Sequence, residues 1–136
     1  MSLGLYLHIP YCFSKCRYCD FYSAPVQRGV PRAYVDALLR ELSRFAPDAP
    51  LRPDTLYFGG GTPSLLDPAD AARLIAAAQP LPGAEITLEA NPETVTEDSL
   101  RAFREAGVNR ISFGVQSARD SQLKTLGRPQ DRKSVV

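Results

Sequence analysis

Thr55-Leu56-Tyr57-Phe58, then Gly59-Gly60-Gly61-Thr62-Pro63, then Asp67-Pro68-Ala69-Asp70 and an alanine-rich run to Gln79 form the stretch that decides the fold. A short apolar, β-rich run stops at three glycines, and a helix begins beyond them. Asp67 is the expected N-cap. Pro68 suits the first helical position, where an N–H would have no partner anyway. Pro80 and Pro82 close the helix. Strand, glycine turn and helix make one βα unit.

The same order recurs on both sides. Leu3–Ile9 is a β-rich apolar run, and Tyr11–Pro25 has no helical period and reads as a loop. Pro31–Phe45 carries Tyr34, Leu38, Leu42 and Phe45 on one helical face, with Pro47 beyond its end. In Ala84–Ala90, Ile86, Leu88 and Ala90 alternate with Thr87 and Glu89, and Asn91-Pro92 ends the strand. Thr96-Glu97-Asp98 caps a helix that runs through Ala106 and stops at Gly107. Its acidic first turn, with Arg101 and Arg104 later, suits the helix dipole. Asn109–Val115 is a fourth strand. A short helix from Ser117 to Leu126 follows, with Ser117 and Asp120 spaced as a capping pair. Strands alternating with helices predict right-handed βαβ units and a parallel sheet, hence an α/β fold.

The 136 residues suffice for one domain, and 44% hydrophobic with 23% charged residues excludes wholesale disorder. The net charge of +1 removes any global electrostatic case for nucleic acid or an acidic membrane. That charge is unevenly spread: residues 51–100 hold two Arg against eight Asp/Glu, and residues 101–136 hold eight Lys/Arg against three. No apolar run approaches the ~18 residues of a membrane span. Met1–Tyr6 lacks the basic and apolar segments of a signal peptide, so the cytoplasm is the expected compartment.

All three cysteines, Cys12, Cys16 and Cys19, fall within eight residues as C-x3-C-x2-C. An odd, tightly spaced set reads as metal ligands before disulfides. Ligands of parallel α/β folds sit at the carboxyl ends of the strands. The cysteine loop follows the first strand and the glycines follow the second. Glu89-Ala90-Asn91-Pro92 ends the third, and Gly114-Val115-Gln116-Ser117 ends the fourth. Four unusual segments are thus predicted on one face. For the cysteines three readings are open. Three thiolates on one loop can take three corners of a [4Fe-4S] cluster and leave one iron open. They can instead bind zinc with His8 as fourth ligand, in a structural module. Or they are inert thiols.

The spacing, with Tyr18 before the last cysteine, resembles the radical S-adenosylmethionine (radical SAM) superfamily. That resemblance implies an open iron chelating the amino and carboxylate groups of S-adenosylmethionine. An electron from the cluster then cleaves the sulfonium and releases a 5′-deoxyadenosyl radical. The glycine segment would bind the methionine amino group. A narrower likeness joins Leu5–Cys12, Tyr57–Ser64, Glu89–Pro92, Arg110–Ser117 and Leu126–Arg128, in that order. These segments resemble the oxygen-independent coproporphyrinogen III oxidase group, and within it the heme chaperone branch. The oxidases carry a further cysteine two positions after the third, where this chain has Phe21.

On that resemblance Cys12, Cys16 and Cys19 hold the cluster. Tyr6, Tyr18, Gly60, Gly61, Thr62, Glu89, Gln116 and Arg128 match S-adenosylmethionine contacts. Arg128 would pair with the methionine carboxylate, and Glu89 and Gln116 would accept from ribose hydroxyls or the amino group. No catalytic side chain is assigned. Heme would be a cargo passed to an acceptor protein, with a separate electron donor as a further partner; nucleic acid is not expected. The competing function is oxidative decarboxylation of coproporphyrinogen III. The group's core is a partial barrel of six βα units. Four are evident over residues 1–128, followed by an irregular tail at 129–136. The chain is therefore expected to be the N-terminal part of that core, truncated. Its fourth strand would leave an open edge at which Leu100, Phe103, Leu123 and Leu126 lose cover.

Overall fold

In the computed structural model, residues 2–12, 24–25, 29–115 and 119–126 are described. The elements run β1 (Gly4–Ile9), β2 (Tyr11–Cys12), β3 (Ala24–Pro25), α1 (Arg32–Phe45), β4 (Thr55–Gly60), α2 (Pro68–Ala78), β5 (Glu85–Ala90), α3 (Glu97–Ala106), β6 (Arg110–Phe113) and α4 (Asp120–Thr125). A four-stranded sheet of order β1-β4-β5-β6 is parallel throughout. This is the α/β architecture expected from the alternation of strands and helices.

The pleat sorts the residues by chemistry. Leu7, Ile9, Leu56, Phe58, Ile86 and Leu88 are buried, and they form one core with Val35, Leu42, Leu74, Ile75 and Phe103 from the helices. Residues on the other parity are Tyr6, His8, Tyr57, Gly59, Thr87, Glu89 and Ser112, because successive strand side chains point to opposite faces. One sheet face is therefore apolar and helix-covered, and the other is aromatic and polar.

Local signals set the helix ends. Asp67 accepts from the Ala69 N–H at 2.8 Å, with Pro68 just inside the helix. Thr96 and Ser99 cap each other reciprocally, and Gly107 stops α3 at φ 119°. Arg73 bonds both Asp70 on its own helix and Asp36 on α1, at 3.0 and 3.1 Å, tying α1 to α2.

Several expectations are corrected. Phe45 is 75% exposed, whereas Val35 is fully buried. The helix turns its Tyr34–Val35–Leu38–Leu42 side inward and leaves Phe45 outside. Phe103 is 1% exposed, packed in the core rather than stripped at an edge, and Leu100 is half-buried. The α3 helix packs against α2, which precedes it, and Phe103 joins the core there. Leu126 is half-buried, and the side chain of Leu123 lies outside the described residues. Gly59 and Gly60 continue β4, pairing with His8 and Ile9. Within the expected loop, Tyr11–Cys12 pairs with Ala24–Pro25. β6 begins one residue after Asn109. The Asn109 side chain donates to Ala84 O and accepts from the Ile86 N–H, taking the place of a ladder rung.

Candidate functional site

The carboxyl ends of β1, β4 and β5 are joined by direct bonds. Beyond β1 the chain enters β2 through Tyr11, and two N–H groups of the glycine turn dock it. Gly61 N–H donates to Ile9 O at 2.8 Å, and Thr62 N–H donates to Tyr11 O at 2.6 Å. A Cβ on Gly61 would lie 2.5 Å from Tyr11 O and 2.8 Å from Tyr11 N. The glycine is required by backbone, with no flexible side chain to give way. Cys12, the next residue, is buried. From α1, Tyr34 donates to His8 O at 2.5 Å and meets the Tyr11 ring edge-on at 5.2 Å. Burial, then Tyr11 and Tyr6, pushes the Tyr34 hydroxyl above its ordinary pKa, so it keeps its proton and stays a donor at neutral pH.

Glu89, at the end of β5, is gripped by β4. Tyr57 Oη donates to Glu89 Oε1 at 2.6 Å, and Gly60 N–H donates to Oε2 at 3.2 Å. Gly60 adopts φ 120°, and the His8 ring occupies the place of its missing side chain. Tyr6 and Tyr57 lie near-parallel, centroids 6.0 Å apart, and both lean over Gly59. Tyr6 Oη and His8 Nδ1 share a 3.1 Å hydrogen bond. Burial raises the Tyr6 and Tyr57 pKa values first. Glu89 adds to both through its charge, and to Tyr57 also through the hydrogen bond.

A second network continues along the same edge. Asn91 Nδ2 donates to Thr62 Oγ1 at 3.1 Å, and Thr94 Oγ1 donates to Asn91 O at 2.7 Å while meeting Ser64 Oγ. A 3₁₀ turn at Pro92–Thr94 carries these groups, and another at Pro63–Leu65 faces it. In the first turn Glu93 Oε2 is buried without a hydrogen-bond partner.

Of the residues singled out from sequence, Tyr6, Cys12, Gly60, Gly61, Thr62 and Glu89 converge at this edge, with His8. Cys16, Tyr18, Cys19, Phe21, Gln116 and Arg128 lie outside the described residues. Sequence alone gives no site role to Tyr57 and Asn91, though both lie in the quoted segments, nor to Tyr34 and Glu93. Tyr57 shares strand parity with Gly59, which is a readable signal. Tyr34 looked like an ordinary member of an apolar helix face.

The donor set fits the expected groups. Soft thiolates at C-x3-C-x2-C spacing suit iron–sulfur ligation. Glu89 keeps acceptor capacity beyond its two bonds, since a carboxylate offers about four lone-pair sites. Glu93 Oε2 is an acceptor still lacking a donor. Both suit a ligand with hydroxyl and ammonium groups.

The family model of the radical SAM superfamily matches residues 6–136. The chain is 48% identical to heme chaperone HemW of Escherichia coli K12 over 140 residues, covering 96% of this chain and 37% of that protein. It is 39% identical to bovine radical S-adenosyl methionine domain-containing protein 1, mitochondrial, covering 98% of this chain and 31% of that one. A solved structure described as coproporphyrinogen III oxidase (HemN) from Escherichia coli, a radical SAM enzyme, superposes with a TM-score of 0.87. There the identity is 34%, with 98% of this chain and 32% of that one covered. The chain thus spans about a third of the length of these relatives. Its four-stranded parallel sheet with flanking helices is a partial (βα) barrel of the same kind. By motif, by sequence identity and by fold, the chain belongs to the radical SAM superfamily, among relatives of the heme chaperone HemW.

Proposed function

We propose that this chain is the N-terminal part of a radical SAM heme chaperone, with residues 1–128 in the core and 129–136 as a tail. Cys12, Cys16 and Cys19 hold a [4Fe-4S] cluster. Tyr6, Tyr18, Gly60, Gly61, Thr62, Glu89, Gln116 and Arg128 hold S-adenosylmethionine, and heme is the cargo handed to an acceptor protein. The observation that carries this reading is the bonding of three strand ends to one another: the glycine turn docks Tyr11 beside Cys12 and, through Gly60, grips Glu89.

When bound, the cluster supplies the electron that cleaves the sulfonium of S-adenosylmethionine. The chain's own residues bind and orient. Docking of Tyr11 sets where the Cys12 thiolate is presented. Glu89, held at both oxygens, offers its remaining lone pairs to ligand donors. Thr62 and Asn91 stiffen the turn between them. Among the described residues no helix is long and apolar enough to cross a membrane. Three closely spaced thiolates suit a reducing compartment, and the cytoplasm is proposed.

The heme role is supported by the names of the bacterial relatives and by Phe21, where the oxidases carry a cysteine. The superposition on the oxidase structure supports decarboxylation of coproporphyrinogen III as the second reading. Anaerobic reconstitution separates them. Iron and sulfide should bind and S-adenosylmethionine should perturb the cluster spectrum, and in a full-length protein carrying this N-terminus heme should bind while coproporphyrinogen III stays unconverted. Robust decarboxylation would restore the oxidase reading. Zinc without iron or sulfide would make the cysteine loop a structural zinc site.

A further inference from the structure

We infer that Tyr57 is a positioning residue, whose hydroxyl orients the Glu89 carboxylate that the proposed site presents to S-adenosylmethionine. This rests on the reading above. A carboxylate bonded at one oxygen still turns about its last torsion, which is broad. Glu89 is bonded at both: Tyr57 Oη holds Oε1 at 2.6 Å and Gly60 N–H holds Oε2 at 3.2 Å. The two donors are three residues apart on one strand, so the grip sets the plane of the carboxylate as well as its position. The shorter bond comes from the side chain. About two acceptor positions stay available for a ligand's hydroxyl or ammonium.

Tyr57 is itself held in place. Its ring lies at 14° to that of Tyr6 and leans over Gly59, where any Cβ would lie 2.9 Å from Tyr57 Cε1. Removing the hydroxyl leaves this ring packing in place and deletes one donor. Glu89 then keeps only the Gly60 bond and swings about it.

The test uses the reconstituted protein as wild type, Tyr57→Phe, Glu89→Gln and the double variant. Each is measured for iron content and for S-adenosylmethionine affinity, read from the perturbation of the cluster's electron paramagnetic resonance signal. Tyr57→Phe should keep the iron and the unliganded spectrum of wild type. Its dissociation constant should rise about tenfold, the value of one hydrogen bond to a charged group. In the Glu89→Gln background the same substitution should change affinity less than about twofold, because the two residues act as a unit. Wild-type affinity in Tyr57→Phe, or an undiminished tenfold loss in the Glu89→Gln background, would overturn the inference while leaving the binding site standing. A clustered wild-type protein that gives no response to S-adenosylmethionine would overturn the site and this inference with it.

Discussion

Gly61→Ala is the most discriminating change the fold offers. The new Cβ would sit 2.5 Å from Tyr11 O, 2.8 Å from Tyr11 N and 2.9 Å from Tyr11 C, all backbone atoms. A carbon–oxygen contact closes no nearer than about 3.3 Å, so Tyr11 must retreat by roughly 0.8 Å. That retreat stretches the 2.6 Å bond from Thr62 N–H to Tyr11 O beyond hydrogen-bonding range. Overpacking of this kind costs about 1–3 kcal/mol, and an unmade bond at a part-buried site about 1–3 kcal/mol. Allowing for relaxation, the sum is about 2–4 kcal/mol, a large share of the 5–15 kcal/mol typical of a domain. The effect on the proposed cluster is sharper still. Metal ligands tolerate displacements of about 0.2 Å, and Cys12 is the residue directly after the one that moves. Anaerobic reconstitution with iron and sulfide analysis, alongside denaturant unfolding, measures both effects. Gly83→Ala is the control: its Cβ meets nothing within 4 Å, but φ is +81°. It should cost about 1–2 kcal/mol of left-handed strain and keep its iron. If Gly61→Ala keeps wild-type iron and stability, the role of the docked Tyr11 in placing Cys12 is refuted. If both variants lose iron equally, the loss follows global stability and the geometric argument fails.

Cys16→Ala should remove most of the bound iron, because the chain has no fourth cysteine to substitute; full iron with an unchanged spectrum would sink the ligand assignment. Val35→Ala should cost about 2 kcal/mol in denaturant unfolding and Phe45→Ser less than about 0.5, since Val35 is fully buried and Phe45 is 75% exposed. Tyr34 has its pKa raised above 10.0, so its contribution is fully present below that pH and is lost as pH climbs through the raised folded value. Unfolding free energy should therefore fall as pH rises above about 10, and less steeply in Tyr34→Phe; equal slopes would contradict the shift. Gly59→Ala pushes on the Tyr6 and Tyr57 side chains, which yield more readily than the backbone of Tyr11, so its stability cost should be smaller than that of Gly61→Ala.

The sequence by itself determined the βα alternation, because each boundary is enforced locally. Asp67 caps α2 through its own side chain, Thr96 caps α3, and Gly107 takes a left-handed stop that β-carbons oppose. It also determined which strand ends carry unusual chemistry, since a parallel sheet sends every carboxyl end to one edge. The apolar parity of β5 was equally legible, because alternation is a property of the pleat alone. Which side of α1 turns inward was not. Phe45 and Val35 both fit an apolar stripe, and only the packing of α1 against the rest of the core exposes the first and buries the second. The burial of Phe103 is tertiary for the same kind of reason: α3 packs on α2, a contact that sequence spacing does not encode. The triple glycine announced itself as a turn made for close approach. What approaches is the backbone of Tyr11 at Gly61 and the ring of His8 at Gly60, residues about fifty positions earlier. Parallel pairing of β1 with β4 alone brings them there, and so it decides where Cys12, the first of the proposed cluster ligands, sits. The pairing of Tyr57 with Glu89 is likewise tertiary. Those residues are 32 positions apart, and only the register of β4 against β5 sets a phenol beside a carboxylate.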